Sequence, residues 1–163
     1  MDFNEKIEVE KSSAMEKVRE IQKIYDNRIA KASKKFEEEL QRLHQERAKL
    51  EKSEGRAASQ IERCMTEVEA ARHGKNKAVQ QRWKQEMENW KREVETLRKS
   101  GEKLDKRIEE TESEKKIEIS NLRSEFDAQA ENAMKNVREL EAARDAKVRL
   151  NQQKMKALED STS

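Results

Sequence analysis

The sequence predicts an all-α protein, a long antiparallel two-helix coiled-coil hairpin. Three observations lead there. The 163 residues include no proline and three glycines, while Asp, Glu, Lys and Arg make up 44 %. The large apolar residues come singly, at steps of three and four, which is the period of a narrow helical seam. The irregularities of that seam in the first half reappear, reflected, in the second.

Composition sets the class. At an average proline usage of about 5 %, roughly eight would be expected. A chain without any, rich in Glu, Lys, Arg, Gln and Ala, favours helix throughout. Aromatics at 4 % and an apolar fraction of 33 % are too little for an ordinary globular core. Lys plus Arg (37) nearly balance Asp plus Glu (35), for a net charge of +2. Gross charge therefore gives no reason to expect nucleic acid or acidic lipid. A single cysteine, Cys64, leaves no internal disulfide framework and fits a reducing compartment. No apolar run is long enough to span a bilayer. The opening "MDFNEKIEVEK" lacks the basic and apolar regions of a secretory signal. The expected setting is intracellular, cytoplasmic or cytoskeletal.

The first helix is expected over about 4–72. Its seam runs through Phe3, Ile7, Ala14, Val18, Ile21, Tyr25, Ile29, Ala32, Phe36, Leu40, Leu43, Leu50, Ala57, Ile61, Cys64, Val68 and Ala71, with Arg47 and Glu54 as polar interruptions. A turn is expected over 73–77. In "HGKN", Gly74 suits the left-handed residue that ends a helix, and Asn76 suits the cap of the next. The second helix, about 77–158, carries a seam from Trp83, Met87 and Trp90 through Val94, Leu97, Gly101, Leu104, Ile108, Thr111, Lys115 and Ile119 to Leu122, Phe126, Ala130, Ala133, Val137 and Leu140. Val148, Met155 and Leu158 continue it loosely, and 159–163 reads as a frayed tail.

Reflection tests the choice between a hairpin and one unbroken helix in a parallel pair. Pairing positions whose numbers total 151 sets Val68 against Trp83, Leu43 against Ile108, Tyr25 against Phe126 and Leu50 against Gly101. Two consecutive steps of four mark a local unwinding. One falls at Ala32–Phe36–Leu40, and its reflection falls at Thr111–Lys115–Ile119. Facing helices must unwind together or lose their interlocking side chains, so paired irregularities favour the hairpin. It would be a single rod on the order of 100 Å at 1.5 Å per residue, with both termini at one end. The alternatives are a continuous parallel coiled-coil dimer, and a short bundle that also turns at Gly55 and Gly101. Ile24, Met65, Ala58, Ile117, Met134 and Ala142 flank the seam and could widen it for a further helix, from another protein or a second copy.

The candidate partner-binding site is the turn. Arg72, His73, Lys75, Lys77, Arg82 and Lys84 cluster there with no acid in that span. Such a tip could dock on an acidic protein surface, a phosphate backbone or an anionic membrane. Trp83 and Trp90 sit at seam spacing and read as packed. Catalytic, metal and cofactor signals are lacking. His44, Cys64 and His73 are too far apart for a ligand set, no glycine-rich phosphate loop occurs, and carboxylates on a helix surface gain no pocket to shift their pKa.

In composition the chain resembles myosin-rod and SMC-arm segments. In length and expected shape it is similar to the stalk proteins of flagellar and type III secretion ATPases, without a shared motif. The function expected is a non-enzymatic scaffold, spacer or tether acting through protein–protein interaction, with no cofactor and no small-molecule substrate. The alternatives are a stalk or adaptor coupling to a motor or secretion-type ATPase ring, and a membrane-surface or nucleic-acid binder through the basic tip.

Overall fold

The computed structural model describes residues 2–162. Two helices account for nearly all of them: α1, Phe3–His73, and α2, Lys77–Thr162. They pack against each other as an all-α helical hairpin, with no strand among the described residues. In this structure the chain reverses at 74–76, which excludes an unbroken helix within it. Gly55 and Gly101 lie inside α1 and α2, so neither makes a turn. Residues 159–162, expected as a frayed tail, continue α2 to Thr162; Ser163 lies outside the described residues.

Caps set the helix boundaries. At the start of α1 the Glu5 amide donates to Asp2 Oδ1 at 2.8 Å, and the Asp2 amide lies 3.4 Å from Glu5 Oε2. The reciprocal pair satisfies two amides that a helix start leaves without partners. At the turn both helices are capped within three residues, as described below.

The fold divides into two compact units. One comprises Met1–Ala32 and Ile117–Ser163. Its core is Ile7, Ala14, Tyr25 and Ala32 of α1 with Val137 of α2. Tyr25 and Phe126, set opposite each other by the reflection, have tilted rings with centroids 6.2 Å apart at 57°. The Tyr25 hydroxyl accepts from Gln129 Nε2 at 2.7 Å and donates to Glu125 Oε2 at 3.5 Å. The Arg28 guanidinium covers the ring at 5.1 Å. A buried aromatic thus keeps its polar tip satisfied.

The other unit is Ser33–Lys116. Phe36, Leu43, Ala57, Cys64, Val68 and Ala71 of α1 are buried against α2, where Ile108 and Thr111 are buried in turn. Thr111 tolerates its position because its hydroxyl donates to the Arg107 carbonyl one turn back, at 2.8 Å. Ion pairs flank this stretch: Lys115–Glu37 and Arg107–Glu39, both at 3.6 Å. Each is half-open to water and contributes about 0–1 kcal/mol.

The seam residues from Ile7 to Leu140 named above are all withdrawn from solvent to some degree, including Arg47 and Glu54. The ends depart from expectation. Phe3, Val148, Met155 and Leu158 are exposed. Of the flanking apolar residues, Ile24, Met65, Ile117, Ala58 and Ala142 are exposed and only Met134 is half-buried. Two helices cover one stripe of each other and no more.

Candidate functional site: the turn and a polar break in the seam

α1 ends in a Schellman motif. The Asn76 amide donates back to the Ala71 carbonyl at 3.0 Å, and the Lys75 amide to the Arg72 carbonyl at 3.2 Å. The motif requires one left-handed residue, and that residue is Lys75, with φ 57°. This corrects the expectation for Gly74. Its amide still donates to Ala70 at 3.0 Å, one helical step back, and its φ is not positive. The glycine stands one residue before the position that most favours glycine. Asn76 serves both helices. Its side-chain Oδ1 accepts from the Val79 amide at 3.2 Å, and its carbonyl accepts from the Gln80 amide at 3.0 Å. It is the N-cap of α2, as its residue type suggests.

On this frame stand the six basic candidates. Arg72, His73, Lys75, Lys77 and Arg82 are exposed and Lys84 is half-buried. The cluster is less free of acid than its own span suggests. Glu69, one turn earlier on α1, pairs with both Arg72 (3.5 Å) and His73 (3.8 Å). Glu69 was missed because it lies outside the acid-free run, although i,i+3 and i,i+4 spacing marks it. Lys75, Lys77, Arg82 and Lys84 make no ion pair among the described residues. The unneutralised charge of the turn therefore lies on α2's side. Trp83 and Trp90 are half-buried in the seam, and the Arg63 guanidinium stands 5.8 Å from the Trp83 ring.

A second polar feature lies further along the same unit. Arg47 Nε donates to Asp105 Oδ1 at 2.9 Å. The guanidinium lies over Gly101, where a β-carbon would sit 3.0 Å from Nη1. Nη1 is buried without a hydrogen-bond partner. The bond to Asp105 raises the Arg47 pKa further above its ordinary value, against a smaller opposing effect of burial. The expected partner of Gly101 was Leu50. It is Arg47 that fills the space, and Leu50 stays half-buried. The reflection could have shown this, because it sets Arg47 opposite Leu104, between Gly101 and Asp105 on the same helix.

Cys64 is buried, and desolvation pushes its thiol pKa up, with the Glu86 charge acting in the same direction. A thiol so placed is a poor nucleophile. No group of three or more His, Cys, Asp or Glu side chains that could hold a metal occurs among the described residues. No described helix is long and apolar enough to cross a membrane.

No family model, curated protein or solved structure matches the chain.

The grooves along the helix pair are open and shallow. One is lined by Met15 and Val18 of α1 with Ala130 and Met134 of α2. Chemically, the arrangement offers a group of exposed cations at the turn and a narrow apolar stripe.

Proposed function

We propose that the chain is a non-enzymatic coiled-coil scaffold, spacer or tether that acts through protein–protein interaction, docking by its turn on an acidic surface. The observation that carries this reading is the set of exposed, unpaired cations, Lys75, Lys77 and Arg82, on a backbone capped from both sides. A backbone held by caps presents these cations at a defined end of the helix pair, and their charge steers an oppositely charged partner. An intracellular, cytoplasmic or cytoskeletal setting accompanies the proposal, in keeping with the free thiol of Cys64.

A photo-crosslinker at exposed Gln81 tests it in the cells that make the protein. Crosslinks to protein are expected to disappear in the Lys75→Glu, Lys77→Glu, Arg82→Glu variant while helix content stays unchanged. The same contact should weaken steeply with salt. Crosslinks that survive charge reversal, or that recover nucleic acid or anionic lipid instead of protein, overturn the docking proposal.

A further inference from the structure

One reflection relates the facing residues of the two helices. Tyr25 meets Phe126 on that reflection, and the ion pairs Glu37–Lys115 and Arg47–Asp105 lie within one residue of it. Such a reflection holds equally when the two helices come from different molecules lying antiparallel. Each cross-helix contact of the hairpin could then be remade between α1 of one copy and α2 of another. The second arrangement differs from the first only at residues 74–76.

Those residues are poised for the change. Gly74 already bonds as part of a helix, its amide on the Ala70 carbonyl. Lys75 alone among the described non-glycine residues has a positive φ, 57°. In that region the β-carbon crowds the following carbonyl, and glycine is the residue spared. A short, strained hinge between two elements favours their exchange. Around it, Ala70, Ala71, Ala78, Gln80 and Gln81 are ready to continue a helix.

We propose that this chain exchanges helices with a second copy of itself. Lys75 relaxes into the helix, α1 and α2 join through the former turn, and α1 of each molecule packs on α2 of the other. The partner surface is the seam already described, so the interface is the hairpin's own interface supplied in trans. The basic cluster opposes the exchange. The antiparallel crossing sets the 74–76 segments of the two copies side by side, and so brings Lys75 and Lys77 of both together. Screening over about 8 Å at 0.15 M salt relieves that repulsion. The dimer fraction therefore rises with ionic strength, the reverse of the salt effect expected for docking on an acidic partner. The failure of one proposal is thus distinguishable from the failure of the other.

The test uses the full chain and three hinge sequences. Gly74→Ala, Lys75→Ala and Asn76→Ala together remove the turn's special residues and favour a continuous helix. Lys75→Gly relieves the strain without straightening the chain. Mass by light scattering should double from 19.2 kDa for the triple variant. Lys75→Gly should need about 100-fold more protein than the native chain to dimerise, from roughly tenfold at each of two hinges. Spin labels at Ala58→Cys and Glu93→Cys, in a Cys64→Ala background, report the topology. In the triple variant diluted with unlabelled triple variant, the short distance within one chain should give way to about 50 Å, the rise of the intervening residues in one helix. A single label at Ala58→Cys, undiluted, should also read about 50 Å between copies. A triple variant that remains monomeric with its helix content intact overturns the proposal. So does a dimer in which the two Ala58→Cys labels lie close together, because that dimer is parallel.

Discussion

The inner faces of α1 and α2 meet each other but are not equally covered. On α1 ten apolar residues from Ile7 to Ala71 are buried; on α2 only Ile108 and Val137 are. Side-chain size accounts for much of the difference. The α1 seam alternates large residues with small ones, Ala14, Ala32, Ala57, Cys64 and Ala71, which sit close to the backbone and vanish under a facing side chain. The α2 seam carries Trp83, Met87, Trp90, Leu97, Leu104 and Phe126, and all of them remain half-buried. Two helices shield a stripe only about as wide as the line between them. Bulky residues protrude past that line, and water reaches their edges. Over two of the large buried α1 residues, long charged side chains fold. Arg28 lies over Tyr25, Lys35 over Phe36, and the Arg107–Glu39 pair crosses between the helices. Burial in a two-helix protein is thus made by the seam and its charged flanks together.

The sharpest break of this comparison is a matched pair of truncations. Leu43→Ala, at a position 1 % exposed, should cost about 2–5 kcal/mol. Leu97→Ala, on the half-covered face of α2, should cost roughly half as much. Urea unfolding of both variants measures the difference, and equal losses would show that the two faces are equivalent after all.

Next in size is the contrast between two helical glycines. A β-carbon at Gly55 meets nothing within 4 Å, whereas at Gly101 it meets the Arg47 guanidinium at 3.0 Å. Gly55→Ala should raise stability by about 1 kcal/mol through helix propensity. Gly101→Ala should forfeit that gain, ending about 1 kcal/mol or more below Gly55→Ala because Arg47 is displaced. Thermal melts of the two single variants read the gap. A comparable effect is expected at the turn. Lys75→Gly should stabilise the hairpin by about 1 kcal/mol by removing a left-handed lysine. Gly74→Ala should change it by about 0.5 kcal/mol or less, since a β-carbon there finds its nearest neighbour at an ordinary 3.5 Å. Chemical denaturation of these two variants would locate the strained residue.

The smallest effect belongs to Asp105. Its side chain is 55 % exposed, so Asp105→Asn should cost only about 0.5–1 kcal/mol, most of it from Arg47 losing its charged partner. Raising the salt concentration should shrink the difference between Asp105→Asn and the native protein, a trend accessible to calorimetry.

Much of the architecture was legible in the residues, and particular positions show why. The paired steps of four at Ala32–Phe36–Leu40 and Thr111–Lys115–Ile119 imply helices that run against each other, and the facing of Tyr25 with Phe126 follows from the same reflection. Periodicity is a property of the whole chain, summed over many residues, so one misjudged position does not spoil it. Asn76 was legible for a local reason: a short polar side chain before a run of helix formers has one favourable use. The candidate site was legible only as a set of charges. That Glu69 neutralises Arg72 and His73, leaving Lys75, Lys77 and Arg82 unpaired, depends on which rotamers bring opposite charges within reach.

What the sequence determined by itself is therefore the helical class, the seam and the antiparallel facing of its two halves, because each is written as a repeating pattern along the chain. What only the tertiary structure decided is the choice between near neighbours. Lys75 and not Gly74 takes the left-handed conformation, and Arg47 and not Leu50 fills the space above Gly101. The physical reason is the same in both cases. Adjacent residues compete for one geometric role, the energies at stake are about 1 kcal/mol, and the winner depends on how two capped helices and their flanking charges settle together.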